Sequence, residues 1–320
     1  MGAFAENLIF SLNATIPVFL MMVFGGFIRK VKLLDDHTIG KINQFVFKAL
    51  LPALLFKDLS TADFRAVWDT KFVLFCFFAT AVSIGIAFLF SLLKKNRAER
   101  GEIVQASYRS SAAILGIAFV NNIYGQATMA ALMIVGTVPL YNIIAVTILS
   151  LTAPQETQKK NGRQLLRQTL KDVATNPIIL GIAAGLLWSV LEIPQHVILS
   201  KSVSYLANMA TPLSLIALGA SFRIQDARGN LGISFGIAGI KLILFCLLFL
   251  PVAVWLGFRS EKLIAILVML GSATTSSCFV MARNLGHKGT ITACSVMLTT
   301  LLSAFTLTAW LFILKSLEYI

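Results

Sequence analysis

The chain has 320 residues, of which 57% are hydrophobic and only 13% charged, and its mean hydropathy is +0.83. A water-soluble domain carries about a quarter charged residues and is less than half apolar, so a soluble domain, disorder, a coiled coil and a secreted disulfide scaffold are excluded together. The 27 Lys and Arg against 14 Asp and Glu leave +13, a surplus that suggests nucleic acid in a soluble protein but marks cytoplasmic loops in a membrane protein.

A bilayer core about 30 Å thick takes about 20 mostly apolar residues per helix. Ten stretches meet that length in chain order: 7–28, 38–57, 71–93, 101–124, 126–150, 173–191, 197–221, 231–257, 262–282 and 289–314. The first contains Pro17 and has no Lys or Arg before Arg29, so it lacks the basic leader of a cleavable signal peptide. In the second, Lys48 lies one turn before Pro52; it either projects into a cavity or snorkels to the inner interface.

The fourth stretch is interrupted at Tyr108-Arg109-Ser110-Ser111-Ala112-Ala113 before the apolar pattern resumes, and Asn121 and Asn122 follow the break. Arg109 lies roughly 12 Å into the stretch at about 1.5 Å per residue, deeper than a snorkelling side chain covers. A charge there costs a few kcal/mol unless it faces a cavity or a partner. The eighth stretch holds Lys241, whose role stays open. The ninth is interrupted in its middle third by Gly271-Ser272-Ala273-Thr274-Thr275-Ser276-Ser277. Ser and Thr can bond the carbonyls freed by a helix break, and small side chains let two broken helices cross closely.

Three landmarks recur at nearly constant offset. Pro17 matches Pro177 and Pro52 matches Pro212, each 160 residues on, while Asn122-Ile123-Tyr124-Gly125 matches Arg283-Asn284-Leu285-Gly286 at 161. The same shift carries the fourth interruption onto the ninth. Each half then holds five spans, an odd number, so the second half enters the membrane upside down as an inverted repeat. With the N-terminus outside, the clusters at 29–32, 94–100, 159–171, 223–228 and 283–288 fall on the inner side. They hold sixteen basic residues against seven outside. The bias predicts both termini outside the cytoplasm and leaves no role for nucleic acid.

Inverted repeats characterise secondary transporters, whose site lies where helices break near the bilayer centre. All fourteen acids fall in loops or at span ends, so the ionisable residues left within spans are Arg109, Lys48 and Lys241. The cavity is therefore expected to be electropositive and its solute a small organic anion, with Arg109 offering its two-pronged guanidinium to a carboxylate. Ser110, Ser111, Asn121, Asn122, Ala273, Thr274, Thr275, Ser276, Ser277 and Lys48 complete the expected substrate site. The four cysteines sit in apolar spans without CxxC spacing and the three histidines share no ligand spacing, so no metal or cofactor is expected. No nucleophile–base pair suggests an enzyme. A sodium- or proton-coupled importer and a membrane sensor on the same fold remain as alternatives.

Asn43-Gln44-Phe45-Val46-Phe47 running into Leu51-Pro52-Ala53-Leu54-Leu55-Phe56, the Gly116…Tyr124-Gly125 end of the fourth span, and Pro212…Ala217-Leu218-Gly219-Ala220 together resemble the auxin efflux carrier family. Plant PIN carriers and bacterial malate or malonate permeases are among its members. The resemblance implies an all-α fold of ten transmembrane helices in a 5+5 inverted repeat, similar to sodium/proton antiporters and bile-acid carriers. Broken helices four and nine would cross at Arg109–Ala113 and Ala273–Ser277. It further implies a homodimer working as an elevator in a bacterial cytoplasmic membrane. Residues 1–70 and 173–228 would form a scaffold, 71–155 and 229–320 a moving transport domain, and 156–172 a basic cytoplasmic loop. Family crossings commonly carry proline, which neither segment here contains, and Arg109 points to a small carboxylate such as malate or malonate.

Overall fold

A computed structural model of the chain describes residues 20–61, 68–112, 128–154, 174–221 and 229–320, with 9, 16, 17, 120, 123, 124 and 171 singly. The described residues are helical, apart from their connecting turns and two short extended segments. Helix α1 includes residues 20–30. α2 (Asp36–Ser60) begins where the Asp35 carboxylate accepts the Thr38 N–H at 2.8 Å, and α3 (Thr70–Ser91) begins on Asp69, which accepts from Phe72 N at 3.0 Å. α4 (Arg97–Tyr108) is capped by Asn96. α5 (Thr128–Thr152), α6 (Pro177–Val190), α7 (Val197–Ser221), α8 (Leu231–Trp255), α9 (Ser260–Gly271), α10 (Ser277–Asn284) and α11 (Thr290–Ser316) follow.

Two of these helices contain a single π-turn. In α2 it covers Val46–Leu50, immediately before Pro52. Proline has no N–H for the preceding turn, and its ring crowds that turn's carbonyl, which the wider turn relieves. In α8 the π-turn covers Ile240–Leu244 and carries Lys241.

Six helices among the described residues are long and apolar enough to cross a membrane, and α6 is a shorter apolar helix. Large apolar side chains such as Phe78, Leu187, Ile198 and Trp255 cover the outside of the bundle, as lipid contact requires. The fourth and ninth stretches are not single rods. α4 and α9 have 12 residues each and α10 has 8, so each is about 18 Å long or less, short of a bilayer core.

The helices pack in two groups. α2 lies against α6 and α7; α3, α4 and α5 pack together and join α8, α9 and α11. The groups meet where α10 touches α2 and α7, and where α5 touches α6. Within the first group the backbones approach closely at glycine. A Cβ on Gly25 would lie 2.2 Å from the Ile216 carbonyl oxygen, and one on Gly185 would lie 2.9 Å from that of Phe56. These are the same contact made twice, since 25 and 185, like 56 and 216, stand 160 residues apart.

Candidate functional site

Where α4 stops, Arg109 turns extended (φ −77°, ψ 119°); where α9 stops, Ser272 does the same (φ −80°, ψ 165°). The two extended segments cross as a minimal antiparallel bridge between Ser110 and Thr274, with Ser111 N–H donating to Ala273 O at 2.9 Å. A helix end leaves carbonyls without intrahelical partners, and here each segment supplies them to the other. The Ser110 hydroxyl donates to Met269 O of α9 (2.5 Å), and the Thr274 hydroxyl donates to Ala106 O of α4 (2.8 Å). Tyr141 of α5 adds a second bond to Met269 O at 3.2 Å, and Thr299 of α11 accepts from Thr274 N–H at 3.0 Å. The hydroxyls expected at these breaks thus hold the backbone of the crossing.

Beside the crossing lies a cavity of about 60 Å³. Arg109, Ser110, Ser111 and Ala112 line it from one break, and Thr275, Ser276 and Ser277 from the other. α5 contributes Tyr141 and Asn142, α7 contributes Thr211 and Ser214, and α2 contributes Leu51, Leu55 and Asp58. α10 begins at this wall with Ser277, so its first N–H groups and the positive end of its dipole stand there.

Arg109 is 3% exposed. Its Nη2 donates to Asn142 Oδ1 (2.9 Å) and Ser277 Oγ (3.1 Å), and its Nη1 stands 3.5 Å from Gln105 Oε1, with the Met281 sulfur against it. Its Nε has no hydrogen-bond partner. The guanidinium is therefore held by neutral groups, and its charge is not cancelled by a carboxylate among the described residues. Lys241, wholly buried, donates to Ser110 Oγ at 2.8 Å, so a second basic side chain supports the crossing.

Of the sequence-derived site, the structure gathers Arg109, Ser110, Ser111, Thr275, Ser276 and Ser277 on the cavity wall. Ala273 and Thr274 belong to the crossing but do not line the cavity, because their polar atoms are spent on Ser111, Ala106 and Thr299. Lys48 is corrected: it sits exposed on α2 and does not line the cavity. Asn121 and Asn122 lie outside the described residues. Asp58 and Glu102 lie near helix ends, as expected of the acids, yet face the protein interior. Asp58 lines the cavity because α2 runs on to Ser60, past the expected end at 57. Glu102 is buried, its carboxylate accepting from Gly289 N–H (2.9 Å) and from the Thr292 N–H and hydroxyl (each 3.1 Å) at the start of α11. Its counterpart Glu261, on α9, accepts from Met129 N–H at the start of α5 (2.7 Å). Asn142 and Ser214 were also missed; each is one of several polar residues in a largely apolar helix, a pattern that ordinary helix packing produces as well. All four cysteines are free and buried.

The sequence pattern of a family described as "Membrane transport protein" matches residues 10–311 of the chain. A "Putative malonate transporter" from Rhizobium meliloti (strain 1021) is 25% identical over 313 residues, covering 93% of this chain and 94% of that protein. An "Uncharacterized transporter YfdV" from Escherichia coli (strain K12) is 22% identical over 273 residues, covering 80% of this chain and 82% of its own length. The same-named protein from Shigella flexneri matches equally.

Proposed function

The chain belongs to the membrane transport protein family, whose members here are transporters and not enzymes, and from that premise we propose that it carries small dicarboxylates of the malonate type across the cytoplasmic membrane by alternating access. The observation that carries this reading is the Arg109 guanidinium, buried on the wall of the cavity with an unpartnered Nε and with neutral side chains as its hydrogen-bond partners. A buried cation without a carboxylate in its hydrogen-bond shell stabilises an anion that enters. Ser111, Thr275 and Ser276 supply hydroxyls around it, and the positive end of the α10 dipole stands at the same wall.

Ten spans in two inverted halves fit the helix pairing. α2 and α7 both have 25 residues and start 161 residues apart, at 36 and 197; α4 and α9 both have 12 and start 163 apart, at 97 and 260. The paired glycine contacts and the exchanged carboxylates of Glu102 and Glu261 support the same symmetry. The two packing groups fit a scaffold of residues 1–70 and 173–228, dimeric through its outer face, and a transport domain of 71–155 and 229–320 that slides against it as an elevator. The basic clusters support both termini lying outside the cytoplasm. Without a coupled ion such a carrier runs outward in a cell, because the potential favours anion exit by about 2.3 kcal/mol per charge per 100 mV. Replacing Arg109 with Ala should abolish malonate flux in proteoliposomes while the protein still elutes as a single folded species; wild-type flux in that variant would overturn the assignment.

A coupled importer is the second reading, and Asp58 on the cavity wall is the observation that favours it. A carboxylate there can take up a proton or sodium ion with the substrate. Under this reading Asp58→Asn uncouples uptake from the ion gradient and leaves exchange intact; unchanged gradient dependence would dismiss Asp58 as the coupling site.

A further inference from the structure

A second and much larger cavity, about 990 Å³, opens at the end of the bundle where α2, α4 and α11 begin. It shares no lining residue with the cavity at the crossing. Four helix starts open onto it: Asp36 of α2, Arg97 of α4, Asn230 before α8, and Thr290 of α11. α4 and α8 present the positive end of a helix dipole, about half an elementary charge each, whereas the Asp35 and Glu102 carboxylates already cap α2 and α11.

The side chains add to this field. Arg29, Arg97, Arg283 and Lys288 line the cavity, against Asp36, Glu99 and Glu102. The acids are already engaged. Asp36 pairs with Arg29 at 2.7 Å, Glu99 with Lys94 at 3.3 Å, and Glu102 with the N–H groups that start α11. Arg97, Arg283 and Lys288 find no carboxylate partner among the described residues. Arg283 Nη1 donates to the Lys288 carbonyl at 3.1 Å, which keeps two of these cations on one rim. Asn43, in the same lining, carries a buried amide oxygen without a partner, a seat for an ordered water or a ligand hydroxyl.

Two helices connect this mouth to the crossing. α10 runs from Arg283, in the mouth, to Ser277 on the wall of the small cavity, six residues or about 9 Å at 1.5 Å per residue. α2 runs alongside, and Asn284 Nδ2 donates to Asn43 O across the pair at 3.1 Å.

We propose that this mouth is a second anion site: a loose, charge-selective vestibule in which Arg97, Arg283 and Lys288 concentrate small multivalent anions, di- and tricarboxylates among them, before they reach the crossing. The role as antechamber rests on the transport reading above; the binding of anions there does not. A concave surface with a net positive charge raises local anion concentration and on-rate at low salt, by about 10- to 1,000-fold where one sign prevails. Part of the basic surplus that orients the chain would then also gather its solute.

The probe is pyranine, a fluorescent trisulfonate, titrated into purified protein in a neutral detergent and read by anisotropy. Wild-type protein should bind it, and the exposed double substitution Arg97→Gln/Lys288→Gln should weaken binding about tenfold at low ionic strength. The difference should vanish near 1 M salt, where the Debye length is about 3 Å. In proteoliposomes the same variant should raise the KM for malonate supplied at this face and leave kcat as it was. Equal pyranine affinity in the two proteins, or affinity indifferent to salt, overturns the vestibule. Failure at the crossing reads differently: malonate flux absent from the wild type, with salt-sensitive pyranine binding intact, removes the transport reading and leaves the vestibule standing.

Discussion

The strongest test of the Arg109 assignment leaves Arg109 in place. Asn142 Oδ1 accepts from Arg109 Nη2 at 2.9 Å in a buried setting, so Asn142→Asp replaces a neutral acceptor with a carboxylate of the same shape. At that distance and an effective dielectric of about 20, the new pair attracts by roughly 4–6 kcal/mol. An incoming carboxylate must compete with it. Allowing part of that attraction to be lost to desolvating the new charge, about 4 kcal/mol remains, close to three decades in apparent affinity. The assay is the initial rate of labelled malonate uptake by proteoliposomes over a range of concentrations, with a thermal melt to establish folding. The expected outcome is a folded protein whose flux has collapsed, with Asn142→Leu impaired less because it removes one hydrogen bond and adds no charge. A wild-type KM in Asn142→Asp would refute the idea that this guanidinium is the counter-charge of the substrate.

Gly25→Ala and Gly185→Ala place a methyl 2.2 and 2.9 Å from backbone oxygens, so each should lower stability by about 1–3 kcal/mol, the former more; melting curves in detergent with no loss at either position would contradict the close packing. Asp69 is held below the ordinary carboxylate range chiefly by its ion pair with Lys262; burial opposes this, and the Phe72 N–H lowers it further by less. Its contribution is fully present above the unfolded carboxylate value of about 3.9 and is lost as pH falls through the lowered folded value. Both partners are a quarter to a third exposed, so the effect is under about 1 kcal/mol. Asp69→Asn should flatten the acid limb of the melting temperature, and an unchanged limb would discount the pair.

Apolar run length located the helices to within a few residues because lipid imposes it, and serine-rich interruptions located both breaks because only hydroxyls and small groups satisfy a severed helix in that setting. What the sequence hid was direction. Ser110 and Thr274 read as substrate ligands, yet their hydroxyls bond carbonyls of the opposite segment, and nothing along the chain distinguishes the Ser110 hydroxyl from that of Ser111 beside it. Lys48 and Lys241 look alike as single lysines in apolar stretches. α2 turns the first outward, while α8 turns the second onto Ser110. Asp58 was read as lying just past a span that ended at 57, whereas α2 runs three residues further and carries it onto the cavity wall. Asn142 was legible only as a lone amide, since its partner lies 33 positions earlier.

The interlocked breaks also bear on how such a chain can be made. Ala106 O is reached by Thr274 and Met269 O by Ser110, so neither half closes its own backbone. A polypeptide halted after Thr152 would carry bare carbonyls into hydrocarbon at several kcal/mol apiece. Joining the halves by a continuous peptide is not what relieves this; having both in the same membrane is. Each half serves as the other's chaperone, and a gene for either one alone should yield product only in cells that also make its mate.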